Sequence, residues 1–197
     1  IITFDAGDLR MTNAESLIRE LRNQNSEIRI VNIDHHTTNE RFGNINLVIE
    51  DASSTAEVVF RYLTHIGHAI NPEIATCLLA GLATDTWNFT NPATTASALG
   101  VGAKLVALGA HRSAVLTSLF KNKSVGLLKL WGVALDRLKF DPESGIASTA
   151  VFHEDAAAAG IAETSNEEIS NTLSLLLNVP VIMVLRTTPD GKVKGSL

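Results

Sequence analysis

Short apolar runs rich in β-branched residues alternate along this chain with longer stretches whose apolar residues recur at helical spacing. Ile28-Arg29-Ile30-Val31-Asn32-Ile33 is a run of the first kind, and its branched side chains predict a strand buried on at least one face. Ile1-Ile2-Thr3-Phe4 predicts another. Between them Leu17, Ile18 and Leu21 fall on one helical face. Thr12-Asn13-Ala14-Glu15 has the form of a capping box, so a helix is expected from there to about Gln24. Strand, helix and strand in that order imply a right-handed crossover and a parallel sheet. A further strand is expected over 45–49, after a polar loop at 37–44.

Farther along, Ser54-Thr55-Ala56-Glu57 is a second capping box, opening a helix through Val58, Val59 and Leu63 that ends near Gly67. Pro72 marks the first turn of the next helix, which leads into 81–85. Thr94 or Thr95 opens a helix over 96–108, and 111–138 is helical in pattern, with Ser124 an N-cap for its later part. The periodicity breaks at 120–123, where the inter-domain linker is placed. A second β/α region follows, with strands over 146–152 and 181–185, a helix over 165–177 and a helix fragment at the alanines 156–159. Pro189-Asp190-Gly191 is a hairpin turn leading to a returning strand over 192–197. The expected fold class is α/β. It comprises a parallel-sheet N-terminal domain over 1–121, a helical linker over 122–140 and part of a smaller α/β domain over 141–197.

Composition narrows the partners. With 45% hydrophobic and 19% charged residues in 197, the chain is a packed globular one, not a disordered one. Its net charge of −5 supplies no basic field to draw in long nucleic acid, so a nucleotide substrate would be short and held by local groups and metal. A single cysteine, Cys77, excludes an intrachain disulfide and fits a cytoplasmic protein. No apolar run reaches the ~18–20 residues of a membrane span, and no signal peptide is visible, so no membrane partner is expected. The chain starts on Ile1 in mid-strand without Met and stops at Leu197 just after a strand begins, so both ends read as cut.

The chemistry sits where apolar segments stop. The strand at 28–33 runs into Asp34-His35-His36, the first strand into Asp5 with Asp8 close behind, and the apolar segment 77–83 into Thr84-Asp85-Thr86. In an open parallel sheet the carboxyl ends of strands are where ligands bind. Acids that converge repel one another unless a cation lies between them, and a pair of divalent ions is the usual answer. Mixed imidazole and carboxylate donors suit Mn, Zn, Co or Fe better than Ca. Plainer roles compete: Asp5 as a loop cap, Asp8 paired with Arg10, the two histidines as a surface pair. Ser53 and Ser54 precede a helix N-terminus, which is either plain capping or an anion site. Trp87 and Phe89, just after Asp85, either stack a base or pack in the core. Lys192 and Lys194 either meet substrate or line a solvated strand. His65, His68, His111 and His153 read as helix-end or loop residues.

FDAGDLR (4–10), NIDHHTTNERFGNIN (32–46), ASSTAEVVFRYL (52–63), GLATDTWNF (81–89) and GKVKGSL (191–197) occur in this order. The set resembles the DHH phosphoesterase superfamily, and within it the bacterial nanoRNase/pAp-phosphatase, or RecJ-like, group. The resemblance implies metal-assisted hydrolysis at a dinuclear site holding Mn²⁺, with Mg²⁺, Co²⁺ or Zn²⁺ as alternatives. Asp5 would bridge both ions, while His35 and Asp85 would ligate one of them. His36 would meet the phosphoryl group, and Asp34 would orient an imidazole from behind. Ser53, Ser54, Trp87 and Lys194 are the candidate substrate contacts. The implied substrate is a short oligonucleotide or the nucleotide bisphosphate pAp, and a homodimer is compatible with it. Rival readings are a pyrophosphatase, a cyclic-dinucleotide phosphodiesterase, a RecJ-type exonuclease or a noncatalytic nucleotide-binding module. The group's His-Xaa₃-Asp-Xaa-Asp motif would precede Ile1 and its Gly-rich, His-containing segment would follow Leu197. These 197 residues alone are therefore expected to hold at most one ion, weakly, and to be inactive.

Overall fold

The β-branched run ending at Asp34 forms the middle strand of a small sheet. In a computed structural model, which describes residues 1–120, 123–161 and 168–196, strands β1 (Ile2–Phe4), β2 (Val31–Asp34) and β3 (Ile45–Val48) lie side by side in that order. Both pairings are parallel, with Phe4 opposite Ile33 and Asp34 opposite Val48. Parallel pairing sends every carboxyl end to the same edge, so the residues following β1 and β2 meet there.

Helix α1 (Glu15–Gln24) connects β1 to β2, but the capping box expected for it does not form. Residues Arg10–Thr12 wind into a 3-10 turn and Asn13 takes a left-handed conformation at φ 53°. The Thr12 hydroxyl is used before the helix begins: it donates to the Leu9 carbonyl (2.6 Å) and accepts from the Ala14 N–H (3.1 Å).

Four more helices follow in this region: α2 (Thr55–His65), α3 (Pro72–Asp85), α4 (Ala96–Ala107) and α5 (Arg112–Phe120). Ser54 caps α2 by accepting from the Glu57 N–H (3.1 Å), Asn71 caps α3 and Thr95 caps α4. The apolar segment 77–83 is the second half of α3, so Asp85 arrives at the end of a helix and not of a strand. Phe60, Leu78, Leu79, Leu82, Val101 and Leu105 form the main core between α2, α3 and α4. Ile33, Ala52 and Val58 form a second cluster that seats α2 on β2. Small residues let two helices approach closely: a Cβ built on Gly81 of α3 would stand 2.9 Å from the Ala56 Cβ of α2.

The chain divides into two compact units, Ile1–Lys121 and Asn122–Leu197. The second contains α6 (Val125–Asp136), β4 (Lys139–Asp141), β5 (Ile146–Val151), α7 (His153–Ala158), α8 (Glu168–Leu176), β6 (Val181–Thr187) and β7 (Val193–Ser196). Its sheet runs β4-β5-β6-β7, parallel between β5 and β6 and antiparallel at both edges. Ser124 caps α6, and Leu130, Ala134, Val151, Ile169, Leu173 and Val184 make the core. Arg137 pairs with Asp155 and lies over the Phe152 ring, 4.8 Å from its centroid. Strand β4 was not legible in the residue pattern, being three residues long and exposed throughout. Residues 165–167 of the expected helix and Leu197 of the expected last strand lie outside the described residues. Among the described residues, no helix is long and apolar enough to cross a membrane.

Leu82 has no exposed surface and sits at the centre of the α2–α4 core. Leu82→Ala should lower unfolding free energy by about 2–5 kcal/mol, read from urea denaturation.

Candidate metal centre

Parallel pairing of β1 and β2 carries Asp5 and the Asp34-His35-His36 run to one edge of the sheet. The Asp5 N–H still bonds the Ile33 carbonyl (3.0 Å), but its φ of 56° turns the chain sharply at this point. Asp85 enters from the C-terminus of α3. The three residues that reverse the chain behind it, Trp87, Asn88 and Phe89, are all left-handed, at φ 49°, 56° and 67°. Conformations of this kind in bulky residues persist only where the surroundings enforce them. Here the Asn91 side chain donates to the Asp85 carbonyl (2.7 Å), the Thr86 hydroxyl donates to the Leu82 carbonyl (2.6 Å), and the Phe89 ring lies directly on Gly102.

The two imidazoles have different anchors. His35 Nδ1 lies 3.1 Å from the Ala52 carbonyl oxygen, which can only accept, so the proton resides on Nδ1. That leaves Nε2 facing two carboxylates, 3.6 Å from Asp5 Oδ1 and 3.8 Å from Asp85 Oδ2. His36 Nδ1 is instead 2.7 Å from Asp34 Oδ1. The Asp34 carboxylate has no exposed surface. Besides His36 it accepts from the His35 N–H (2.8 Å), from the Asn39 amide and, at 3.4 Å, from the Thr55 hydroxyl. The same Thr55 hydroxyl lies 2.7 Å from Asp5 Oδ1.

Donor atoms of Asp5, Asp34, His35 and His36 all fall within 4.8 Å of one another. Asp34 is spent on its hydrogen bonds. Asp85 lies outside that group, but its carboxylate and that of Asp5 both face His35 Nε2, so Asp5, His35 and Asp85 offer two carboxylates and one imidazole. This donor set fits a divalent transition metal. The electrostatics agree with it. Burial raises the Asp85 carboxyl above its ordinary range, and the nearby Asp5 charge raises it further, against the weaker pull of His35 and His36. For Asp34, burial pushes upward too, but the bonds from Asn39 and His36 outweigh it and hold the group low.

The structure thus brings Asp5, Asp34, His35, His36 and Asp85 together. Ser53 and Ser54 lie close in sequence to Thr55, but their hydroxyls serve the fold. Ser53 Oγ donates to the Ala93 carbonyl (2.7 Å) and accepts from the Thr95 N–H (3.1 Å), while Ser54 caps α2. Trp87 is half-buried, and Phe89 packs at the edge of the main core. Lys194 is exposed on β7 in the second unit. Asp8 pairs with Arg10 at 2.7 Å, away from this cluster of donors. Residue pattern missed Asn39, Thr55 and the Ala52 carbonyl; a polar loop residue, a helix-start threonine and a backbone oxygen carry no spacing signal.

Residues 1–82 match the family described as DHH family, N-terminal domain. The chain belongs to the DHH phosphoesterase superfamily. Within it, the chain is 32% identical over 162 residues to a bifunctional oligoribonuclease and PAP phosphatase NrnA of Thermus thermophilus, covering 82% of this chain and 48% of that protein. It is 26% identical over 151 residues to the protein of the same name from Bacillus subtilis, covering 75% of this chain and 48% of that one. The chain therefore spans about half the length of these curated relatives. A crystal structure of an exopolyphosphatase-related protein from Bacteroides fragilis shares the fold, with a TM-score of 0.86 at 23% identity over 98% of this chain and 57% of that one.

An acid whose pKa is raised by folding binds protons more tightly in the native state, so stability falls as pH rises through that interval. Without metal, the native chain should lose stability as pH climbs from about 4, the unfolded carboxylate value, through the raised Asp85 pKa. Asp85→Asn should remove that loss, melting higher than the native protein at neutral pH and no higher near pH 3.

Proposed function

We propose that this protein is a metal-dependent phosphoesterase that hydrolyses short oligonucleotides, removes the 3′-phosphate of pAp, or does both. The observation that carries the reading is the His35 imidazole, whose Nδ1–H is anchored on the Ala52 carbonyl while Nε2 faces Asp5 and Asp85 at 3.6 and 3.8 Å. The oligoribonuclease and PAP phosphatase activities for which the Thermus and Bacillus relatives are named support it, as does an acidic chain of net charge −5 with no global basic field for long strands.

Asp5, His35 and Asp85 would hold a divalent ion; Mn²⁺, the metal that the family resemblance implies, is compatible with their mixed nitrogen and oxygen donors. Bound ions would supply the Lewis acidity that activates water and offsets charge on the phosphoryl oxygens. Asp5, at the rim of the cluster, is the residue proposed to reach a second ion. His36 keeps Nδ1 on Asp34 and so has Nε2 free to meet a phosphoryl oxygen or the leaving group. Asp34 acts behind it, fixing the tautomer and the ring plane.

In the whole protein with Mn²⁺, a dinucleotide or pAp should turn over faster than pyrophosphate, cyclic di-AMP or a long single strand. Faster digestion of the long strand than of the dinucleotide would overturn the short-substrate reading. The division of roles has its own check. His36→Ala should cut kcat about a hundredfold or more with Mn²⁺ affinity held within twofold. Asp85→Ala should weaken Mn²⁺ binding and turnover together, with excess Mn²⁺ restoring part of the activity. Calorimetry showing equal loss of affinity in both variants would contradict it.

A further inference from the structure

Glu57 is fully buried, and its carboxylate bonds Ser53, Arg61 and Ser97, none of them a candidate metal ligand. Its Oε2 accepts a 2.8 Å bond from the Ser53 N–H, while its Oε1 accepts from Arg61 Nη2 and from Ser97 Oγ, both at 2.6 Å. In a capping box the glutamate would reach back to the N-cap residue's own N–H. Here the N-cap is Ser54, and Glu57 bonds the residue before it.

That shift of one residue matters because of what the Ser53 N–H belongs to. It forms one planar peptide with the Ala52 carbonyl, the group that accepts from His35 Nδ1 at 3.1 Å. The two halves of a peptide are conjugated. A negative charge bonded to the N–H raises electron density on the carbonyl oxygen, and hydrogen bonds in series strengthen one another. The path runs from the Glu57 carboxylate through the Ala52–Ser53 peptide to the His35 ring, with no break. Its effect on the ring would be the one a directly bonded carboxylate has: it fixes the proton on Nδ1, holds the ring plane and makes Nε2 a better donor.

We infer that Glu57 is a positioning residue for His35, acting through the Ala52–Ser53 peptide to aim Nε2 at a divalent cation and increase its donor strength. The inference rests on the reading of His35 as a metal ligand. Arg61 and Ser97 occupy the other carboxylate oxygen and tie α2 to the start of α4, a structural duty that can be separated from the relay.

The test pairs Glu57→Gln, which keeps shape and an acceptor for the Ser53 N–H but removes the charge and the acceptor facing Arg61 and Ser97, with Ser97→Ala and Arg61→Met, which loosen the structural tie alone. Co²⁺ titration of the chain, followed by visible absorption, should show affinity about tenfold weaker for Glu57→Gln and within twofold of native for Ser97→Ala and Arg61→Met. In metal-free protein, ¹⁵N spectra should show neutral His35 as the Nδ1–H tautomer, with a weaker Nδ1–H bond in Glu57→Gln. Equal Co²⁺ affinity in Glu57→Gln and native chains, or an equal loss in Ser97→Ala or Arg61→Met, overturns the relay. Native protein alone gives a further arm if Glu57→Gln does not fold. Adding Zn²⁺ should shift the Ser53 amide proton, and a resonance that stays put while Zn²⁺ binds overturns the inference. A native chain that binds neither Co²⁺ nor Zn²⁺ refutes the metal reading, whereas an Nε2–H tautomer of His35 refutes the relay by itself.

Discussion

A carboxylate with no exposed surface, at the end of a parallel strand, is the constraint around which the N-terminal unit is arranged. Burying the Asp34 charge without partners would cost several kcal/mol. Its oxygens are met by the His36 ring, the His35 backbone, the Asn39 amide and, at longer range, the Thr55 hydroxyl. These donors come from three separate places: the strand end itself, the loop after it and the first residue of α2. Satisfying one charge therefore folds the loop back, as the bond from Asn39 to the Ala6 carbonyl also does. It also brings the start of α2 against β1 and β2.

The site inherits its asymmetry from this arrangement. Adjacent histidines on a chain leaving a strand would be interchangeable if only their order counted. They are distinguished by what each Nδ1 finds: a buried anion for His36 and a neutral carbonyl for His35. The difference leaves both Nε2 atoms outward, one facing the acids and the other free for a different partner. Asp85 completes the convergence at the cost of repulsion with Asp5, which is the electrostatic condition that a cation relieves.

Much of this is legible in the residues. Strands β1 and β2 stand out because branched apolar runs stop abruptly on acids, and the caps Ser54, Thr95 and Ser124 are visible because a hydroxyl precedes an apolar period. The capping box at Thr12 misleads for a physical reason: a 3-10 turn uses the hydroxyl first. The apolar run before Asp85 is ambiguous in composition between strand and helix, and only its extension back to Pro72 decides for helix. Contacts through Asn39, Thr55 and the Ala52 carbonyl stay hidden, since they depend on where a loop and a backbone group come to rest in three dimensions.

The near-contact of Gly81 with Ala56 has a bearing on how far apart the two acids stand. Helix α2 begins at Thr55, which holds Asp5, and α3 ends at Asp85, so the gap across the acids follows the separation of the two helix axes. That separation is set by a hydrogen atom at one position and a methyl at the other, with only 2.9 Å to a built Cβ. A larger side chain at either place would wedge the helices apart and carry Asp85 outward with α3. The distance between the Asp5 and Asp85 carboxylates is thus tied to a half-buried helix contact between two of the smallest residues in the unit.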